Sequence, residues 1–169
     1  MTTPQPSNSA RTLKRNEEKW TATLMDAGWT AVPSIILEKQ QAIGLNPIDV
    51  NILLHLARHW WYSDNLPHPS KATLAQCMGI NQSTVRRHIA QLEQAGLIKR
   101  KARYDSKTGG QTSNHYDFEG LIKEATPFAL EAIETHGKHR EEDEQRKRRK
   151  KPQLVVNNAQ AKGKTGGKG

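Results

Sequence analysis

Gln82, Ser83, Arg86 and Arg87 fall at helical spacing on one side of "QSTVRRHIAQLEQA" (82–95). Their chemistry suits the edges of base pairs. Arg can give a bidentate pair to guanine and Gln one to adenine, and Ser can bond a base or a phosphate. Each good bidentate pair is worth roughly 1 to 3 kcal/mol of discrimination. A second set, Lys71, Thr84, Lys99, Arg100, Lys101, Arg103 and Lys107 with Gly109 and Gly110, offers cations, a hydroxyl and close backbone approach, which suit phosphate contact. A third, Arg146, Lys147, Arg148, Arg149, Lys150 and Lys151, is an unbroken basic run suited to non-specific attraction. The simpler alternative is a solvated helix face, a hairpin whose charges block edge pairing, and a solvated tail.

The distribution of charge favours the first account. The 169 residues carry a formal net charge of +9. From Lys138 onward there are eleven Lys and Arg against four Asp and Glu, which leaves fifteen against thirteen before it. Within that nearly neutral body, 71–107 holds eight basic residues and only Glu93 and Asp105 as acids. Positive charge is gathered around the reading candidates, as a polyanion-binding face requires.

Those side chains need rigid elements to hold them. "KATLAQCM", capped by Ser70 and ended by Gly79, reads as a short helix; Asn81 can cap the next, which Gly96 ends. Ala75 lets two helices cross closely, and Gly79 tolerates the left-handed turn. Leu74, Met78, Ile80, Val85, Ile89 and Leu92 are the expected shared core, leaving Gln82, Ser83, Arg86, Arg87 and Ala90 outward. "LIKRKARY", a polar "DSKTGGQT" and "SNHYDF" read as two strands and a hairpin loop.

Before these, "NPIDVNILLHLARHWW" reads as a helix with Asn46 as cap, Pro47 at its first position and Asp49 in its positive first turn. It is apolar on most sides, so it is expected at the centre, with Trp60, Trp61 and Tyr62 in the core. Residues 1–10 are expected to be mobile. Leu13, Trp20 and Leu24 stripe a helix ending near Gly28, and a brief helix follows Pro33. Residues 119–137 are expected to be helical with an interruption at Pro127, and Phe128, Ala129, Ala132 and Ile133 make another stripe. The two terminal stripes offer homodimer or protein contacts.

"PSKATLAQCMGINQSTVRRHIAQLEQAGLIKR" followed by "TSNHYDF" resembles the winged helix-turn-helix domains of bacterial regulators and of phage and plasmid replication proteins, with their pattern "PS..TLA..LG.S..TV.R.I..LE..GLI.R" and a later "N.Y". The resemblance spans about Val32 to Leu130 and implies a mainly α fold with a small β-hairpin wing. It also implies double-stranded DNA as partner, with 82–95 in the major groove and the 99–116 wing on the backbone. His88 departs from the pattern, standing where an apolar residue is usual, which would rotate the helix slightly. The divisions expected are 1–28, an N-terminal tail and amphipathic helix; 29–118, the winged domain; 119–137, a helical region; and 138–169, a basic disordered tail.

Other chemistry is thinly represented. His55 and His59 have metal-ligand spacing but no evident third ligand, so neither metal nor cofactor is expected. Cys77, the sole cysteine, is expected to be a packed or half-exposed thiol, and no intrachain disulfide can form. No nucleophile elbow or phosphate loop gathers catalytic groups, so an enzyme is not expected. With no apolar run of signal or membrane length, the expectation is a bacterial cytoplasmic protein. A transcriptional regulator comes first; a replication-initiation or partition protein binding iterated sites, or a winged helix used only for protein contacts, are the alternatives.

Overall fold

Asn46 opens the central helix as the sequence suggests: its side chain accepts the backbone N–H of Ile48 at 2.9 Å and of Asp49 at 3.0 Å, while Asp49 accepts that of Asn46 at 3.0 Å. This reciprocal capping box fixes where the helix starts. The computed structural model describes residues 8–148. The chain divides into two compact units, Met1–Glu131 and Ala132–Gly169.

In the first unit the order is α1 (Asn8–Trp20), α2 (Ala22–Asp26), α3 (Ser34–Glu38), α4 (Gln40–Ile43), α5 (Pro47–Ala57), α6 (Lys71–Met78), α7 (Gln82–Gln94), β1 (Lys99–Lys101), β2 (His115–Asp117) and the start of α8 (Glu119–Arg148). β1 and β2 pair antiparallel, Arg100 opposite Tyr116. Tyr116 donates its backbone N–H to the Pro67 carbonyl at 2.8 Å, tying the α5–α6 connection to the hairpin. Ile52 and Leu56 of α5, Leu74 of α6, Val85 and Ile89 of α7 and Tyr116 of β2 are each at most 1% exposed. At roughly 1.5 to 3 kcal/mol per buried large apolar side chain, this cluster holds the three central helices against the hairpin.

Several expectations need correction. The N-terminal helix is two, broken at Thr21, whose φ of 70° no helix continues. It starts at Asn8, inside the stretch expected to be mobile. α5 stops at Ala57, short of the aromatic run. Of that run only Trp60 joins the core, stacking on Phe118 at 5.1 Å, while Trp61 is 62% and Tyr62 70% exposed. Cys77 is exposed, neither packed nor half-exposed. Pro127 does not interrupt α8. Pro127 and Lys123 are both exposed, so water can take the Lys123 carbonyl that a proline N–H cannot reach.

Residues 138–148, expected in the disordered tail, are instead the last part of α8. Within the second unit the pairs Glu134–Lys138, His139–Glu142, Asp143–Arg146 and Glu144–Lys147 stand three or four residues apart. Such spacing adds a few tenths of a kcal/mol per pair to an exposed helix. Arg149, Lys150 and Lys151 lie outside the described residues. No helix among the described residues is long and apolar enough to cross a membrane.

Candidate nucleic-acid interface

The turn between α6 and α7 closes as its residues dictate. Gly79 takes φ 64° and ψ 31°, the Ile80 N–H reaches back to the Ala75 carbonyl at 3.1 Å, and the Gly79 N–H to that of Gln76 at 3.3 Å. This Schellman arrangement needs the left-handed residue, which glycine supplies without strain. Ser70 caps α6 by accepting the Thr73 N–H at 3.0 Å. Asn81 holds the corresponding place before α7, but its side chain makes no capping bond, contrary to expectation.

α7 turns Val85, His88, Ile89 and Leu92 into the core. Gln82, Ser83, Arg86, Arg87 and Ala90 are exposed, Thr84 half-buried. The helix is therefore not rotated by His88. Instead its imidazole Nδ1 lies 2.8 Å from the Asp49 carboxylate of α5, both side chains 7% exposed, and its Nε2 is buried with no partner among the described residues. A polar residue sits at an apolar position because a second polar residue, 39 positions earlier, receives it.

The hairpin loop is ordered by its own bonds. Asp105 accepts the N–H groups of Lys107 and Thr108, each at 2.8 Å, and the Gly109 N–H donates to the Asp105 carbonyl at 2.9 Å. The bonds to its carboxylate hold the Asp105 pKa below its ordinary value, the Thr108 N–H most strongly and then that of Lys107. Gly109 needs its positive φ of 67°, and Gly110 is exposed beside it. Lys107 is therefore presented from a defined turn.

Not every expected cation is free. Arg100 is held by Glu93, its Nε donating at 2.7 Å, and Lys101 donates to Asp117 at 2.6 Å. The Arg100 hydrogen bond lowers the Glu93 pKa and raises that of Arg100. Partial burial lowers the Lys71 pKa first, and the nearby charges of Arg100 and Arg86 add to it, with Glu93 opposing. That pattern places Lys71, Arg86 and Arg100 in one positive field. Among the described residues Arg86, Arg87, Lys99, Arg103 and Lys107 make no ion pair.

The sequence did not single out one feature. A polar recess of about 230 Å³ is lined by Ser70, Lys71 and Ala72 at the start of α6, Gln82 at the start of α7, Gln111 to Asn114 on the hairpin's return, and Tyr116. Ser113 donates its hydroxyl to the His68 carbonyl at 2.6 Å, which fixes that return against the α5–α6 connection. Only the "N.Y" of the motif hinted at it. The two helix starts and the hairpin thus meet around one polar hollow.

Residues 44–98 match the family model of a helix-turn-helix domain. With the hairpin following α7, the arrangement is complete. The chain carries a winged helix-turn-helix domain. In this domain α6 and α7 are the motif and β1–β2 the wing. Domains of this kind are common in DNA-binding proteins, where the second motif helix enters the major groove. The N-terminal domain of DnaD protein from Geobacillus kaustophilus HTA426 is similar at 22% identity and a TM-score of 0.49, covering 71% of this chain and 96% of that one. A possible transcriptional regulator from Methanosarcina mazei Go1 is similar at 17% identity and a TM-score of 0.39, covering 64% and 85%. No curated protein matches in sequence.

Proposed function

We propose that the protein binds double-stranded DNA sequence-specifically and acts as a bacterial, non-enzymatic transcriptional regulator. The observation that carries this is α7 itself: Gln82, Ser83, Arg86 and Arg87 stand exposed on the first turns of a helix whose other side is locked in the core. In this reading those four side chains meet base edges. Lys71, Thr84, Lys99, Arg103, Lys107, Gly109 and Gly110 meet phosphates, and Arg100 and Lys101 join them while bridged to Glu93 and Asp117. Residues 29–118 are the reading unit. The basic run 146–151 attracts duplexes of any sequence, and the protein works as a homodimer through the terminal stripes, where Trp20 and Leu24 are 62% and 58% exposed.

Replacing Arg86 with alanine is expected to weaken cognate binding by about 1 to 3 kcal/mol and to flatten preference at one base pair. Fluorescence anisotropy with cognate and substituted duplexes reads both quantities, and no change in either would remove Arg86 from the base-reading set. Removing 138–169 is expected to weaken all duplexes alike and to make the slope of log affinity against log salt shallower. An unchanged slope would detach the tail from DNA.

The deciding experiment is selection of bound duplexes from a random library, using the full chain and one ending at residue 137. A single palindromic site enriched by both supports a dimeric regulator; direct repeats would move the role toward replication initiation; no enriched site would overturn sequence reading.

A further inference from the structure

Four of the nine aromatic residues, Trp29, Trp60, Trp61 and Tyr62, lie in the α2–α3 connection and just beyond α5. Trp60 is accounted for by its stack on Phe118. The other three are 44%, 62% and 70% exposed, and none stacks on another ring among the described residues. Large exposed rings in a cluster mark a binding surface more often than accident does.

Trp29 and Trp61 border a recess that Tyr62 does not reach. Ala27, Gly28, Trp29, Thr30, Arg58, His59 and Trp61 line a hollow of about 300 Å³, and a second of about 160 Å³ shares Trp29, Thr30, Arg58 and Trp61 with it. None of these residues belongs to α6, α7 or the wing. No carboxylate lines either hollow: Asp26 precedes this stretch and Asp64 follows it in the chain, and neither reaches the walls. Partial burial holds the pKa of His59 down, and its neighbours Arg58, His68 and His55 add to this, with no acid among them. Indole rings, an imidazole and a hydroxyl therefore meet around one permanent cation, the Arg58 guanidinium, with no carboxylate in the walls.

We infer that this recess is a second nucleic-acid site, which takes unstacked bases of a single strand on Trp29 and Trp61 with Arg58 and His59 toward its phosphates. Every base has a π-face, so stacking on indole is tolerant of sequence, and a positive rim follows the backbone. Ligands with π-faces and negative charge at the spacing of a strand fit this chemistry better than a basic or purely apolar peptide, which would leave Arg58 unpaired. Duplex DNA, whose bases are stacked inside, cannot use the rings.

The test uses the full chain and a fluorescein-labelled thymidine 15-mer, with a duplex of cognate sequence in parallel. Trp61→Ala and Trp29→Ala are each expected to weaken single-strand binding about 5- to 150-fold while leaving duplex affinity unchanged. Trp61 is mostly exposed, and thermal melting verifies the fold; Arg58→Gln supplies a variant that alters no ring and is expected to weaken single-strand binding and make its fall with salt shallower. Single-strand affinity unchanged in all three variants would overturn the proposal. So would parallel loss of duplex affinity, which would put these residues in the duplex interface. A shift from dimer to monomer in sedimentation with strand binding intact would make the face a subunit contact instead. Thymidine monophosphate competing at concentrations as low as the 15-mer would assign the recess to a free nucleotide. Because duplex selection reads the winged domain and the tail, none of which lines this recess, failure here leaves the regulator reading standing, and the converse also holds.

Discussion

Asp49→Ala is expected to destabilise the winged domain by about 2 to 4 kcal/mol, the cost of leaving a buried imidazole without its partner together with the loss of a helix cap. The Asp49 carboxylate does two jobs at once. It receives His88 Nδ1 at 2.8 Å and it accepts the Asn46 N–H that closes the start of α5. Loss of the first strands an imidazole whose Nε2 already lacks a partner, and loss of the second removes half of a capping box, itself worth about 1 kcal/mol. Domains of this size are stable by only about 5 to 15 kcal/mol, so the melting midpoint should fall by more than about 10 °C. A second variant isolates the cause. His88→Leu restores the apolar residue usual at this place in the motif, so the pair Asp49→Ala with His88→Leu should recover most of the loss, because apolar replacement of a buried pair is often neutral. Denaturant melts of the two single variants and the double close the cycle. A single-variant cost below about 1 kcal/mol would mean that the pair does not bind α7 to α5.

The same pair shows where sequence reading stops. The α6–α7 unit is legible because every signal in it is local: Ser70 before, Gly79 between, Gly96 after, and an apolar stripe with a period that matches a helix. The partner of His88 lies 39 residues away on another helix, and no periodicity reports a contact between elements. Trp61 and Tyr62 were misplaced for a related reason. The apolar run continues past Ala57, but the helix does not, and composition cannot tell a residue on the last turn from one beyond it. In the candidate interface the outward set on α7 follows directly from the inward stripe. The capture of Arg100 by Glu93 across the α7–β1 turn, and of Lys101 by Asp117 diagonally across the hairpin, depends on how α7 and the two strands pack, whereas the sequence offers both cations simply as phosphate contacts. The extension of α8 was written in opposite charges three or four residues apart, yet Pro127 and high polarity argued locally for a solvated end. Local chemistry wins when it is exposed to water and loses when packing intervenes.

Gly120→Ala carries that contrast to a measurable extreme. A Cβ built on Gly120 would lie 1.8 Å from the Gly96 carbonyl oxygen and 2.9 Å from its carbon, with the Leu97 carbonyl carbon at 3.2 Å. All three atoms are backbone, so no side chain can swing aside. The Leu121 N–H donates to the Leu97 carbonyl at 2.7 Å across the same contact, so the first turn of α8 is pinned to the end of α7. To admit one methyl group the turn must lift, and with it Leu121 and Ala125, which are 3% and 5% exposed. Overpacking costs about 1 to 3 kcal/mol, and partial withdrawal of a buried leucine adds to it, so a loss of at least about 3 kcal/mol is expected. Gly137→Ala is the matched control. It stands in the same helix with nothing within 4 Å of a built Cβ, and there the change should stabilise the helix by roughly 0.5 to 1 kcal/mol. One substitution in one helix is thus expected to act with opposite signs at two places. Equal and small effects from both would mean that α8 does not rest on the α7–β1 turn, and the winged domain would then end at its hairpin.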